Sequence, residues 1–145
     1  MKATMLLGAL CLLVLAAPSS ADAPPGRYDL GVSGTVRDTR TTLIWQRAIS
    51  AELYSRNAAA SYCAGLSLAG TGWRLPQVSE LLTLVDRTRN QPAIDATAFP
   101  ATPVTWFWTS TPYAPDLAKG WRVDFGIGYS NGFELGTAAR VRCVR

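Results

Sequence analysis

The sequence predicts a single α+β domain built on a small antiparallel sheet. Its 145 residues suffice for one domain of ordinary size. Predicted strands stand at both ends with two helices between them, an order typical of α+β domains rather than of alternating β-α-β units. Apolar residues make up 48% and charged residues 17% of the chain, which suits a packed core. We expect a signal peptide over residues 1–21, a linker over 22–26 and the single domain over 27–145.

The N-terminal segment has the pattern of a secretory signal peptide. Lys2 supplies the positive charge, and residues 5–17 form an apolar run that is too short to span a bilayer as a helix. Small residues follow, and cleavage after Ala21 would make Asp22 the first mature residue. Cleavage after Ala23 and an uncleaved anchor helix are the alternatives. We expect an exported protein, periplasmic, cell-surface or extracellular, with no stable membrane insertion after cleavage.

The residue counts exclude several classes of function. The chain has no histidine, which removes the Ser-His-Asp triad, the Cys-His pair and the HExxH zinc site. Loss of residues 1–21 would leave 13 basic and 10 acidic residues, a net charge of 13 − 10 = +3. The basic residues are scattered rather than clustered, so we expect no nucleic-acid partner. We also expect no cofactor.

Short strands are predicted at the start of the domain. Residues 27–29 and 35–38 are strand-like and are separated by turn residues that include Gly31 and Gly34. Residues 41–46, with the sequence TTLIWQ, are rich in β-branched and aromatic side chains and predict a third strand.

Two helices are predicted in the middle of the chain. Ser55 can cap a helix over residues 56–66. Four of its residues share one face at helical spacing: Ala59, Tyr62, Cys63 and Leu66. Pro76 suits the first turn of a second helix. Apolar residues follow there at i, i+3, i+4 and i+7 spacing: Val78, Leu81, Leu82 and Val85.

The last third of the chain is predicted to be β-structure. Residues 86–104 are irregular, and strands are expected over 105–110, 120–125, 132–135 and 140–145. Gly126-Ile127-Gly128 and Asn131-Gly132 are predicted to be turns.

Alternation along two of these strands predicts which side chains face the core. In the last strand, Val141 and Cys143 would face inward, and Arg140 and Arg142 outward. In the aromatic strand, Phe107 would face opposite to its neighbours Trp106 and Trp108. One side of that strand should be core, and an exposed aromatic ring on the other side could stack on a sugar or a peptide.

Two of the cysteines are predicted to lie close enough to form a disulfide bond. Cys63 lies on the apolar face of the first predicted helix, and Cys143 lies on the inward face of the last predicted strand. A bond between them would close a loop of about 80 residues, which the chain-entropy model values at about 4–5 kcal/mol before strain. An exported chain with an even number of cysteines favours this disulfide. Two unpaired buried thiols are the alternative.

Several motifs, taken in order, resemble one bacterial family, the Lcl C-terminal domain. They begin with Gly34-Thr35-Val36-x-Asp38 and Thr42-Leu43-x-Trp45-Gln46, and continue with Ala60-x-Tyr62-Cys63-x-x-Leu66. The most specific is Gly72-Trp73-Arg74-Leu75-Pro76-x-x-x-Glu80-Leu81. Trp108-Thr109-Ser110-Thr111 and the final Val141-Arg142-Cys143-Val144-Arg145 complete the pattern.

The resemblance implies a C-type-lectin-like fold, with two helices on a small antiparallel sheet and a bond from the first helix to the final strand. The Arg-Leu-Pro stretch is also shared with formylglycine-generating and related sulfatase-modifying proteins. Those proteins use further cysteines or metal ligands, which this chain does not have to spare. We therefore expect no enzyme. The stretch Trp73-Arg74-Leu75-Pro76 could be a ligand motif, but we expect a structural role for Trp73, Arg74, Leu75, Pro76 and Glu80.

We expect a binding or adhesion module whose ligand is a glycan or a protein. Loops on a rigid sheet commonly bind ligands, so the hairpin region after residue 120 is the candidate site. Its candidate ligand-binding residues are Trp121, Arg122, Asp124, Tyr129, Asn131 and Glu134. An inert hairpin with Trp121 and Phe133 in the core is the alternative.

Three questions stay open beside that hypothesis. Asp124, Asn131 and Glu134 could offer oxygen ligands to calcium, but lectin-type calcium motifs are absent from the sequence and we expect no metal. The oligomeric state is not predicted. The alternative functions are a structural, envelope-associated domain and a degenerate relative of the sulfatase-modifying enzymes.

Overall fold

The computed structural model describes residues 24–145. The predicted signal peptide and the first two residues of the predicted linker lie outside this range. Within it, strands and helices occur in the order β1-β2-β3-α1-α2-β4-β5-β6. This is the predicted α+β order as far as β6, but the strands form two three-stranded antiparallel sheets instead of one sheet.

The first sheet is formed by β1 (Tyr28–Asp29), β2 (Thr35–Asp38) and β3 (Ile44–Gln46), in that spatial order. All neighbours are antiparallel, and Val36 lies directly opposite Trp45. Both side chains are fully buried. The predicted third strand was longer at its start. Thr42 instead adopts a positive φ of 66°, which turns the chain from β2 into β3.

The helices are α1 (Arg56–Ala64) and α2 (Val78–Leu82). Ser55 caps α1 as predicted and accepts from the Ala58 backbone N–H. Helix α2 is a single turn, and Gln77 is its N-cap. The prediction that Pro76 lies in the first turn was therefore wrong: it precedes the cap, and its carbonyl accepts from the Ser110 N–H at 2.7 Å.

The second sheet is formed by β4 (Trp106–Pro112), β5 (Lys119–Asp124) and β6 (Ser130–Glu134). Residues 125–127 form the turn between β5 and β6, in agreement with the predicted turn. The predicted turn at Asn131-Gly132 was wrong, because both residues lie inside β6, opposite Arg122 and Trp121. A two-residue turn there would have removed the pairing that β5 needs.

Two apolar clusters lie on opposite sides of β4. Phe107 belongs to the larger cluster, with Trp45, Leu81, Phe99 and Val123 among its members. Trp108 belongs to the smaller cluster, with α1 and the two cysteines. Both faces of β4 are therefore packed at its centre.

The disulfide between Cys63 and Cys143 is present, as predicted, and both residues are fully buried. It joins α1 to the C-terminal segment across 80 residues of chain.

The C-terminal segment is not the regular strand that we predicted. Val144 makes isolated bridges to Trp45 and Arg74, and Arg140 makes one to Phe107, so the segment links the two sheets. The outward orientation predicted for Arg142 was also wrong, because its side chain is fully buried. It donates to the carbonyls of Gln46 and Arg47, both at 2.7 Å, and to the Thr102 hydroxyl at 2.8 Å.

Arginines that donate to distant backbone carbonyls recur through the fold. They are Arg27 to Thr83, Arg47 to Thr97 and Ala98, Arg56 to Thr109 and Ser110, Arg140 to Ala51, Arg142 to Gln46 and Arg47, and Arg145 to Ala69 and Thr71. Each bond joins residues at least 50 positions apart in the chain. We call this set the arginine staples.

Across residues 24–145, no helix has the length and apolar character needed to cross a membrane.

Candidate ligand-binding cleft

An open cleft of about 460 Å³ lies where the end of α2 meets the second sheet. Its lining residues are Leu82, Arg87, Trp106, Gly128, Tyr129, Ser130 and Asn131. Tyr129 is 62% exposed and Trp106 is partly buried. Aromatic surface is thus available to a ligand in a concave site, which is where small ligands commonly bind.

The turn between β5 and β6 fixes one wall of this cleft. The two Asp124 side-chain oxygens accept from the Gly126 N–H at 3.0 Å and the Ile127 N–H at 3.1 Å. Gly128 has a φ of +82°, and a Cβ at this position would lie 2.5 Å from Val85 Cγ1. Glycine is therefore required here by both conformation and space. The result is a fixed turn that presents Tyr129 to solvent.

One face of the second sheet carries a row of three side chains. Trp108, Arg122 and Asn131 are direct partners across β4, β5 and β6, and directly opposed residues point to the same face. Trp108 is fully buried, and its indole N–H lies within hydrogen-bonding distance of the carbonyls of Tyr54 (2.9 Å) and Thr137 (3.1 Å). The row therefore runs from a fixed core residue to a residue that lines the cleft.

Arg122, in the middle of this row, is surrounded by aromatic rings. Its guanidinium carbon lies 3.7 Å from the ring centroid of Phe133, 5.0 Å from that of Trp106 and 5.4 Å from that of Trp108. The residue is only 4% exposed, and its Nε has no hydrogen-bond partner in the part of the chain that the structure describes. We call Trp106, Trp108 and Phe133 the aromatic cradle.

Burial lowers the pKa of Arg122, and no ion pair between Arg122 and a carboxylate occurs within residues 24–145. The side chain thus differs from the arginine staples, which donate to carbonyls. Cation–π contacts stabilise a desolvated guanidinium, so the cradle is what compensates this buried charge.

The structure divides the six predicted ligand-binding residues between the two faces of the sheet. Tyr129 and Asn131 line the cleft. Arg122 and Asp124 lie behind it, since Arg122 contacts the Trp106 ring and the Asp124 carboxylate holds the turn. Trp121 and Glu134 are on the opposite face, because they alternate with Arg122 and Asn131 along their strands.

Both residues on that opposite face have other contacts. The Trp121 ring packs edge-on against Tyr113, with centroids 4.9 Å apart. The Glu134 carboxylate lies 3.6 Å from the Lys119 ammonium. Neither of them lines the cleft that Tyr129 and Asn131 share.

The three oxygen donors considered for calcium are also separated. Both Asp124 oxygens are engaged by the turn, and Glu134 lies on the other face of the sheet from Asn131. Within residues 24–145, no group of three or more histidine, cysteine, aspartate or glutamate side chains is close enough to hold a metal ion.

The Trp-Arg-Leu-Pro stretch has structural contacts. Trp73 is 3% exposed, and its indole N–H faces the carbonyls of Leu68 (2.9 Å) and Gly70 (3.2 Å). Arg74 makes a two-pronged bond to Glu80, at 2.8 and 2.6 Å, and Leu75 and Pro76 are buried. The bond to Arg74 lowers the pKa of Glu80, and a further bond from the Gln77 N–H acts in the same direction.

Sequence reasoning missed two residues of the cleft. Leu82 was predicted only as a core residue, and Arg87 lies in the segment that was predicted to be irregular. Neither position carries a local pattern that points to a ligand. The segment is brought to the second sheet by contacts distant in sequence, such as the bonds from the Gln91 and Ala93 N–H groups to the carbonyls of Gly126 (2.8 Å) and Phe125 (2.7 Å).

Comparison with known proteins gives one family. Residues 34–145 match the family model described as the Lcl C-terminal domain. No curated protein matches the chain at a significant level. The match covers all but a few residues of the predicted domain and agrees with the resemblance that the motifs indicated.

Proposed function

Because the chain belongs to the Lcl C-terminal domain family, we propose that it is an exported, non-enzymatic binding or adhesion module whose cleft takes a glycan or a protein. The observation that carries the proposal is the pair of aromatic side chains in the cleft, Tyr129 and Trp106. Exposed aromatic surface on a rigid sheet is a common energetic anchor for binding.

We propose that the fold is C-type-lectin-like. Three features support this assignment: two helices, antiparallel sheets and a disulfide from the first helix to the C-terminal segment. The two cysteines of the domain are bonded to each other in the core, so neither is a free thiol. This arrangement favours a binding role over the cysteine chemistry of the sulfatase-modifying enzymes.

The polar groups of the cleft suit a ligand with hydroxyl or amide groups. Ser130 offers a hydroxyl, Asn131 an amide and Arg87 an exposed guanidinium, all beside the aromatic rings. A sugar ring has an apolar face for stacking and hydroxyls for such donors and acceptors. A polypeptide offers aromatic or aliphatic side chains and backbone amides. The cleft therefore suits both a glycan and a polypeptide, and both classes are tested.

The test is an array of glycans, including glycosaminoglycans, and a peptide array, probed with the purified domain. For the best ligand, we expect Tyr129→Ala combined with Asn131→Ala to weaken affinity at least tenfold, about 1.4 kcal/mol. Leu117→Ala is the matched control, since Leu117 is a 74% exposed apolar residue outside the cleft. Unchanged affinity in a folded double variant would remove this cleft from the proposal.

Absence of any array ligand would favour the structural, envelope-associated alternative instead. Export is tested separately by mass spectrometry of the protein from its native host. An N-terminus at Asp22, or after Ala23, supports export, and recovery of the intact chain from Met1 in the membrane fraction contradicts it.

A further inference from the structure

The structure assigns Arg122 a role in positioning Trp106 and in selecting against cationic ligands at the cleft. This inference rests on the proposed function, because it concerns what the same cleft accepts. It implies that the group stacked on Trp106 is uncharged or anionic, such as the apolar face of a sugar ring or a neutral aromatic side chain.

The positioning role follows from the two indole rings that the guanidinium lies over. Trp108 is fully buried and lies next to two backbone carbonyls. Trp106 is partly buried and lines the cleft. Arg122 lies within 5.4 Å of both ring centroids. A planar guanidinium stacks on such rings, so it transmits the fixed position of Trp108 to Trp106.

Phe133 completes the arrangement from the solvent side. Its ring centroid is 3.7 Å from the guanidinium carbon, and the ring itself is 40% exposed. Arg122 is thereby enclosed although no carboxylate neutralises it among the ion pairs of residues 24–145. Burial without a counter-ion is costly, and such departures from ordinary packing concentrate at functional sites.

The selectivity follows from the short distance between this charge and the indole, since the guanidinium carbon lies 5.0 Å from the Trp106 ring centroid. A cation stacked on Trp106 from the cleft would lie at most about 9 Å from the guanidinium carbon, and at an effective dielectric constant near 20 a repulsion over that distance lowers affinity about twentyfold. That exceeds the gain expected from a cation–π contact at an exposed ring. Arg87, at the rim of the same cleft, adds repulsion of the same sign.

Charged fluorescence quenchers test the inference without any biological ligand. The probes are iodide, caesium and neutral acrylamide at constant ionic strength, and the Trp106 signal is the difference between each protein and its Trp106→Phe partner. The variants carry Arg87→Met as a common background, which removes the other cation of the cleft. Each quenching constant is divided by its value for N-acetyltryptophanamide, because iodide quenches free indole more efficiently than caesium. While Arg122 is present, we expect the normalised constant for iodide to be at least five times that for caesium.

Arg122→Met should bring the normalised constants of the two ions to within twofold of each other. It should also increase quenching by acrylamide, because the Trp106 ring becomes mobile. Arg122→Lys should retain the preference for iodide, because it keeps the charge, but should show the higher acrylamide quenching, because an ammonium cannot stack as a plane. Arg56→Met is the matched control, since it removes one charge from a guanidinium that bonds to carbonyls of β4 instead of stacking on rings.

The same preference for iodide in Arg122→Met and in its parent would overturn the selectivity, and unchanged acrylamide quenching would overturn the positioning role. If Arg122→Met does not fold, the parent protein supplies the test, because equal normalised quenching by caesium and iodide contradicts a cation held next to the ring. A failure here leaves array binding untouched, and a failure to find an array ligand leaves this measurement unaffected, so the two proposals fail separately.

Discussion

Replacing Arg142 by methionine tests how strongly a buried guanidinium stabilises this fold. The side chain is fully buried and donates to two carbonyls at 2.7 Å and one hydroxyl at 2.8 Å. Burial lowers the pKa of Arg142 to about 9, so the group remains charged at pH 7. Its guanidinium carbon also lies 4.7 Å from the ring centroid of Phe99.

The expected loss is about 2–4 kcal/mol of the free energy of unfolding. Each acceptor left without a donor in the core costs about 1–3 kcal/mol, and three acceptors lose their donor. Removal of the desolvated charge offsets part of that sum. Methionine fills much of the vacated volume, so the cavity contribution is small. Arg142→Lys should lose less, because an ammonium still donates but cannot span all three acceptors at once.

The assay is urea unfolding at pH 7, followed by tryptophan fluorescence. Arg37→Met is the control, since Arg37 is an exposed arginine of β2 and should change stability by less than about 0.5 kcal/mol. An Arg142→Met protein as stable as the Arg37→Met protein would refute the reasoning, because it would mean that the acceptors need no donor.

Three further predictions follow from other contacts. Replacing Cys63 and Cys143 together by serine should lower the free energy of unfolding in urea by about 2–5 kcal/mol. Peptide mapping without reductant should recover the two cysteines linked. An equally stable double variant would argue against the bond as a stabilising element. Burial raises the pKa of Tyr28 to about 12, so its contribution to the free energy of unfolding is kept below pH 10 and falls as pH rises from 10 to 12. Tyr28→Phe should abolish this alkaline loss, and an unchanged pH profile in the variant would contradict the prediction. The bond to Arg74 lowers the pKa of Glu80, so the contribution of Glu80 to the free energy of unfolding is present above pH 4.5 and lost as pH falls through the lowered value. Glu80→Gln should flatten this acid part of the plot of stability against pH. A variant with the same slope would count against the bond as a stabilising contact.

Local patterns in the sequence were sufficient for most strands, for α1 and for the disulfide. They depend on spacing, capping and alternation, which act within a few residues. The error at Arg142 shows where such patterns fail. Alternation correctly placed Cys143 in the core, but it assumes that the other face of the segment meets solvent. Here Phe99 and Thr102, from a segment without regular structure, cover that face.

The candidate site was predictable only in part for the same reason. The turn residues identified the hairpin, and Tyr129 and Asn131 do line the cleft. Trp121 and Glu134 could have been separated from them by strand alternation alone, had Asn131-Gly132 not been predicted as a turn. Arg87 reaches the cleft through tertiary packing, and its neighbours in the chain carry no signal of that position.

The arginine staples offer a structural explanation for the positive net charge of this protein. A chain with 14 basic and 10 acidic residues invites the inference that it was shaped by attraction to a polyanion. Six of its twelve arginines, however, are committed to holding distant carbonyls within the fold. Amide carbonyls do not titrate, so acid that would neutralise carboxylates leaves these hydrogen bonds intact. The net positive charge is thus in large part a consequence of how the fold is held together, and the hydrogen bonds concerned are insensitive to acid.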